Sequence, residues 1–444
     1  YTQRGYYADR GKSFVTDIDP GYYATYYASW VKSNVPVVTD SRTNLLAAYG
    51  TISYSYKDYF TLNANTRYDG SNKFGSRSNE KILPVWSVSG MVDLKAVTGI
   101  GAAWLDSFTM KASYGEQGNM LDGQTPVLVL KKGSYSDYYN KMISTVANGG
   151  FANPDLKWEK TRSSNFGLEA SFFKGRLMIG AEYYYKKTTD AFMSKQISDI
   201  NGFTAYTVNS GTVVNKGYNL NLTTTSVKLE DFNWIFSGSL SKIMNEMNTA
   251  PGQNTYELND FLNGTAVVKG KSIGTFYSYK YAGLSPVDGG PLFDDWEDRR
   301  SELVGLDKYN TYTRVLKASG QRDPDITGSI SNTFTYKQWR LGVQMNYSLG
   351  AKTRLFRMME DFVNGYSAES NVNRNLLKAW KKPGDELRTN VPAIMGQGSN
   401  GYNYYSYHWS ASASSDVVKI ADNAWTMYDY SDLRVVSADY LKLS

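Results

Sequence analysis

Trp339–Leu349 reads WRLGVQMNYSL, and which side of this stretch meets water decides the fold. Trp339, Leu341, Val343, Met345, Tyr347 and Leu349 share one parity, while Arg340, Gly342, Gln344, Asn346 and Ser348 share the other. A period of two makes the segment a strand with one apolar and one polar face. A soluble antiparallel sheet reads this way, with its apolar face on a core. A membrane barrel reads the same way with inside and outside exchanged. The choice falls to the rest of the chain.

Working outward, the same alternation recurs in pairs. NLLAAYGTISYSY is joined to YFTLNANTRYD across Lys57 and Asp58, and TRSSNFGLEASFF to RLMIGAEYYYKK across Lys174 and Gly175. KGYNLNLTTTSVKL meets FNWIFSGSLSKI near Glu230 and Asp231, and ITGSISNTFTY meets the opening stretch at Lys337 and Gln338. Short polar turns between alternating flanks are hairpin signals. PVWSVSGMVDL and SFTMKASYG form a looser pair across Lys95 to Asp106. The other connections are long and rich in Gly, Asn, Tyr and Ser: about 70–83, 116–159, 188–215, 245–325 and 351–433. Short turns at one end and long loops at the other are the layout of an outer-membrane barrel, and strands of about 10 to 12 residues suit a tilted crossing. Between Ile243 and Ile326 the chain must cross an even number of times or not at all; IGTFYSYKYAGL alternates weakly there and is read either as one of a pair or as loop.

Composition agrees. The chain of 444 residues has 37 Tyr, 39 Gly, 10 Trp and no Cys, a mean hydropathy of −0.46, and no apolar run long enough for a membrane-spanning helix. Any membrane crossing is therefore made by strands. Absence of cysteine excludes disulfides and thiolate metal sites within the chain. The net charge of +6 comes from well-mixed Lys, Arg, Asp and Glu, which argues against nucleic-acid binding. Tyr1 follows no leader-like segment and ADYLKLS stops inside an alternation, so the chain is expected to be a piece of something longer.

Several segments resemble the barrel of SusC/RagA-type TonB-dependent transporters: YDGSNKFG, LPVWSVSGMVDL, LDSFTMKASYGEQGN and NPDLKWEKTRSSNFGLEASFFKGRLMIGAEYYYKKTTD, then VNSGTVVNKGYNLNL, KSIGTFYSYKYAGLSPVDGGPLF and AWKKPGDELRTNVPAI, in family order. Within them Asn153, Pro154, Leu156, Trp158 and Glu159 carry a family motif. The resemblance implies an all-β fold, an antiparallel transmembrane β-barrel of which this chain supplies about 12 strands of a plugged barrel of roughly 22. Residues 1–444 then belong to one barrel domain, with 1–43 an extracellular loop and the plug and final strands absent. The implied function is TonB-coupled active import of oligosaccharides or peptides across the outer membrane of a Bacteroidetes-like Gram-negative cell. Implied partners are a SusD-like surface lipoprotein as lid, the TonB complex through the missing N-terminal region, and outer-membrane lipid. The alternatives are a non-transporting, β-rich surface glycan-binding module and a passive porin.

On this reading Trp339, Leu341, Val343, Met345 and Leu349 face lipid, and Tyr56, Tyr59, Trp234, Trp339 and Tyr347 supply aromatic girdles. Thr61, Asn63, Asn65, Arg67, Asp69, Lys111, Ser113, Glu169, Glu182 and Lys186 line the lumen. Arg67, Asp69, Glu116, Gln117 and Asn346, near outward strand ends, are candidate substrate contacts. No catalytic set assembles: the single histidine, His408, sits in a long loop, and Asp294/Asp295 lack the spacing that separates an acid from a base. No cofactor is expected. FDDWEDRRSELVGLDKYN lacks the glycine spacing of a calcium loop, so Asp294, Asp295, Glu297 and Asp298 read as a solvated loop without metal.

Overall fold

The computed structural model describes residues 2–8, 38–57, 59–71, 82–119, 130–136, 138, 141–146, 153, 155–196, 205–251, 256–294, 296, 299–358, 371, 373–396, 398–407, 417–420 and 423–444. His408, Asp58, Pro154, Asp295, Glu297 and Asp298 lie outside them.

Twelve strands form one hydrogen-bonded sheet. In chain order they are β1 (Thr2–Ala8), β2 (Val38–Tyr56), β3 (Phe60–Ser71), β4 (Ile82–Asp93), β5 (Leu105–Asn119), β6 (Glu159–Phe172), β7 (Leu177–Gln196), β8 (Ala205–Lys228), β9 (Phe232–Met247), β10 (Ile326–Tyr336), β11 (Trp339–Leu349) and β12 (Tyr440–Leu443). Each strand is bonded to the next in this order, a continuous meander. β9 pairs directly with β10, from Phe232↔Tyr336 to Lys242↔Ile326. Among the described residues, the 248–325 connection therefore makes no crossing.

Two expectations change in detail. The first segment is not all loop: β1 pairs with β2 from Thr2↔Asn44 to Ala8↔Val38. The stretch 188–215 is mostly strand, since β7 runs 20 residues and β8 runs 24, paired as far as Ala205↔Gln196. Its polar composition concealed this, since few apolar residues mark the pattern, although Ala191 and Met193 are buried. Bulges beside Gly211 break the alternation there as well.

The chain divides into two compact units. The first, 1–52 with 65–86 and 117–158, holds β1, the far parts of β2 to β5, and a pair formed by Leu130–Ser136 and Lys141–Val146. The second, 53–64 with 87–116 and 159–444, holds the turn-proximal parts of β2 to β5 and all later strands.

Within the second unit the short turns follow local chemistry. Tyr336↔Trp339 closes the Lys337–Gln338 turn, with Lys337 at φ 51°. The β6–β7 turn is wider than read, because its last pair is Phe172↔Leu177. The β4–β5 link contains a short helix, Leu94–Thr98, capped by the Asp93 carboxylate on Ala96 N–H at 3.1 Å.

The long connections of this unit are themselves folded. Thr275–Ser278 pairs with Lys317–Gln321, Tyr281–Leu284 with Pro291–Phe293, and Lys352–Arg354 with Val435–Ser437. Helices α1 (Lys308–Val315), α2 (Asn400–Tyr407) and α3 (Ala424–Asp429) pack around them. The buried cluster of Phe261, Leu303, Tyr312, Leu376, Trp425, Tyr428 and their neighbours is drawn entirely from these connections. So IGTFYSYKYAGL is loop, yet core-forming loop.

Candidate functional site

Residues directly opposite in an antiparallel pair share a face, so the registers carry parity from strand to strand. Phe172, Leu177 and Thr224 lie in line, as do Leu168, Ala181, Leu220 and Leu240, and Phe334 and Leu341 join Trp234. This apolar face has no cover: Trp339 is 80% exposed, Leu341 60%, Leu220 44% and Phe166 43%.

The other face is mainly polar, with Met178, Tyr184 and Ile243 among its few apolar positions. Glu182, Asn219, Ser241 and Thr327 lie in line, followed by Ser348. Asn219 donates to the Glu182 carboxylate at 3.2 Å and Ser241 to the Asn219 carbonyl at 2.6 Å. Ser239 and Ser329 share a bond of 2.8 Å. Lys111 pairs with Glu169 at 2.7 Å, Asn165 donates to Ser113 at 3.0 Å, and Ser53 to Asn63 at 2.7 Å. A hollow of about 440 Å³ opens on this wall among Asn63, Lys111, Asn165, Glu169 and Glu182. Lys111 and Glu169 pair with each other and Glu182 with an amide, while Lys186 lies over the Tyr184 ring at 5.6 Å, so charges of both signs are spread along a hydrogen-bonding wall.

Above the loop end of the wall, the two connections are stitched together. Tyr281 N–H donates to the Asp432 carboxylate at 3.0 Å, and Lys317 pairs with Asp432 at 2.8 Å. Asp429, fully buried, accepts from Met358 N–H at 3.1 Å with Arg357 and Arg434 guanidinium nitrogens at 3.9 and 4.0 Å. Arg354 lies between the rings of Phe276 and Tyr430 at 5.7 and 5.1 Å, and burial lowers its pKa to about 10. Burial pushes the phenols of Tyr312, Tyr405 and Tyr428 up to about 12. Gly290 has no room for a side chain: a Cβ would stand 1.9 Å from the Tyr405 ring, whose hydroxyl donates to Asp288 at 2.9 Å.

The candidate contacts fall as follows. Arg67 and Asp69 form an ion pair at 2.7 Å, and Gln117 is exposed. Asn346 is on the polar face, opposite Ser329, and donates to Ser444 at 2.8 Å. Glu116 differs from expectation. It shares the parity of Met110 and Tyr114, opposite to Lys111 and Ser113, and is held by Arg162 at 2.6 Å on the apolar side. Its place near an outward strand end suggested a contact with cargo; a cation on the neighbouring strand lets it sit on the other face.

The motif residues do local work. Asn153 is buried and its side chain accepts from Asp155 N–H at 3.2 Å, an Asx turn, with Leu156 and Trp158 buried after it. Glu159 accepts from Phe192 N–H at 2.8 Å. Asp294, read as solvated, is ion-paired with Arg299 at 2.8 Å. Among the described residues no group of three metal-ligating side chains assembles.

Of the girdle residues, Tyr56, Tyr59 and Trp339 are exposed at short turns. Trp234 stacks on Phe334 at 5.8 Å and donates its indole N–H to Asn332 at 3.1 Å. Tyr347, at the other end of β11, lies over Gly328, where a Cβ would meet its ring at 2.5 Å, and donates to Ser239 O at 2.8 Å. Sequence reasoning missed the loop core. Its signal was the density of Tyr, Trp and Phe between 256 and 316 and between 402 and 430.

A meander with a lipid-ready outer face, a polar inner face, short turns at one end and large folded loops at the other defines an outer-membrane β-barrel wall. The chain belongs to the TonB dependent receptor-like, beta-barrel family, whose pattern residues 2–279 match. It is 28% identical over 339 residues to TonB-dependent receptor P26 of Formosa agariphila, covering 71% of this chain and 33% of that protein. It is 26% identical over 329 residues to TonB-dependent receptor SusC of Bacteroides thetaiotaomicron, covering 70% and 31%. The solved RagAB peptide transporter superposes with a TM-score of 0.71 at 23% identity, over 93% of this chain and 41% of that one. The chain thus spans about a third of the length of these relatives. The family places it in the outer membrane, its apolar face to lipid. A surface glycan-binding module would instead bury that face in a core.

Proposed function

We propose that this chain forms part of the wall and extracellular loop body of an active importer, energised through TonB, that carries oligosaccharides or peptides across the outer membrane. The observation that carries the reading is the hydrogen-bonded polar wall, which continues from strand to strand beneath a folded, aromatic-rich loop body in a TonB-dependent receptor barrel. Exposed Tyr404 and the rings around it suit stacking on sugars or docking a protein. A SusD-like lipoprotein seated on the loop body completes the proposal, with Arg67, Asp69, Gln117 and Asn346 as candidate contacts for cargo. Peptide cargo is supported by the likeness to the RagAB peptide transporter, and oligosaccharide cargo is what the resemblance to SusC/RagA-type barrels implies.

The test is uptake of labelled glycan and peptide pools by cells with and without the full-length protein, in TonB-competent and TonB-deficient backgrounds. Uptake that needs both the protein and TonB supports the importer, and a co-purifying surface lipoprotein supports the lid. Uptake that persists without TonB points to a passive porin and overturns the reading.

A further inference from the structure

The apolar face changes character at its loop-side boundary. Arg162 on β6 lies opposite Lys187 on β7, Lys216 on β8 opposite Tyr185, and Lys242 on β9 opposite Tyr218. All four cations share parity with Phe166, Leu168, Leu220 and Leu240, so they point to the lipid side. Tyr183 and Tyr185, 47% and 37% exposed, lie just below them, and Tyr114 is exposed nearby on β5. Of acidic groups on this face, Glu116 is taken by Arg162, and Glu246 shares the row of Val214 and Lys187. Among the described residues, Lys187, Lys216 and Lys242 enter no ion pair.

Height identifies what they meet. The three lysines stand about ten residues from the turn end of their strands, which at ~3.3 Å per residue and ~40° of tilt is roughly 25 Å of rise, the thickness of the apolar band. Trp234, Phe334 and Trp339 mark the lower border, so the tyrosines form the upper girdle and the cations lie at outer-leaflet headgroup level. With strands about 4.8 Å apart and the cations stepped two residues toward the turn at Lys216 and two more at Lys242, the four span roughly 19 Å. That is wider than one glycerophosphate headgroup and matches a disaccharide headgroup bearing phosphate.

We infer that Arg162, Lys187, Lys216 and Lys242 form a binding strip for a phosphorylated glycolipid of the outer leaflet. Ammonium and guanidinium groups held beside a low-dielectric band bind phosphate through charge-assisted hydrogen bonds. The strip depends on the chain's place in the membrane and not on its cargo.

The test uses the full-length protein in phosphatidylcholine nanodiscs, titrated with lipid A, dephosphorylated lipid A and phosphatidylglycerol, and read by native mass spectrometry. Lipid A is expected to bind at least tenfold tighter than either of the others. Combining Lys187→Gln, Lys216→Gln and Lys242→Gln is expected to abolish that preference. The corresponding arginine substitutions should keep it, as should Lys186→Gln, which alters the lumen face one residue away. Equal binding of dephosphorylated lipid A or of phosphatidylglycerol overturns the assignment, as does a glutamine variant that binds as the parent does. The lipid comparison needs no variant and stands even if the triple substitution fails to fold.

Discussion

The sheet and the loop body use the same residue types in opposite ways. In the sheet Leu220, Leu341 and Trp339 are exposed, while in the loop body Leu303, Trp425 and Tyr428 are almost wholly buried. The sheet leaves its apolar face for lipid to cover and satisfies its backbone through strand pairing. The loop body stands in water and must bury its own apolar surface, so it has a core of its own. One chain thus solves folding twice, once for each solvent, and the two solutions should fail separately.

The largest separation is expected at Asp429. Asp429→Ala leaves Arg434 buried without its anion and removes the carboxylate that Met358 N–H donates to, at a cost of about 3–5 kcal/mol to the loop body. Limited proteolysis should then cut within 256–430 while the barrel keeps its heat-modifiable mobility; loss of both together would break the comparison. Next is parity itself. Leu220→Arg, midway across the apolar face, should cost about 2–4 kcal/mol of barrel stability, whereas Asn221→Arg on the polar face should cost little, as measured by urea titration in detergent. Equal effects would mean the faces are misassigned. Gly290→Ala, against the Tyr405 ring, should cost about 1–3 kcal/mol, visible as faster hydrogen exchange around 281–293 and 402–405 and not in the strands.

The smallest effect is alkaline. Phenols raised to about 12 in the loop body, against about 10 unfolded, contribute stability that is complete below pH 10 and is lost as pH rises through 12. Absorbance of ionised tyrosine should therefore rise together with hydrogen exchange in the loop body between pH 10 and 12. Phenol titration with no loosening of these loops would remove the link.

Legibility followed solvent. Where one face meets lipid and the other water, the chemistry alternates at every residue, so β6 to β11 were readable, as was the polar wall with Lys111, Glu169 and Glu182. In the far parts of β7 and β8, polar residues dominate and the register shifts beside Gly211, so parity faded and strand was read as loop. Glu116 was misplaced because its position near an outward strand end was weighed above its parity with Met110 and Tyr114; the partner that holds it, Arg162, is adjacent only across the sheet. In the loop body, residues with no common period converge from 261, 303, 376 and 425, and no local pattern announces such a meeting.

By itself the sequence determined most of the strands, the places of the hairpin turns, the identity of the two faces and the family, because each depends on residues within one strand or one turn. Only the tertiary structure decided that β9 pairs directly with β10, that the long connections form one core around Asp429, and that Arg162, Lys187, Lys216 and Lys242 are neighbours on four successive strands. Those outcomes rest on contacts between segments far apart in the chain, whose free energy appears only once the backbone has brought them together.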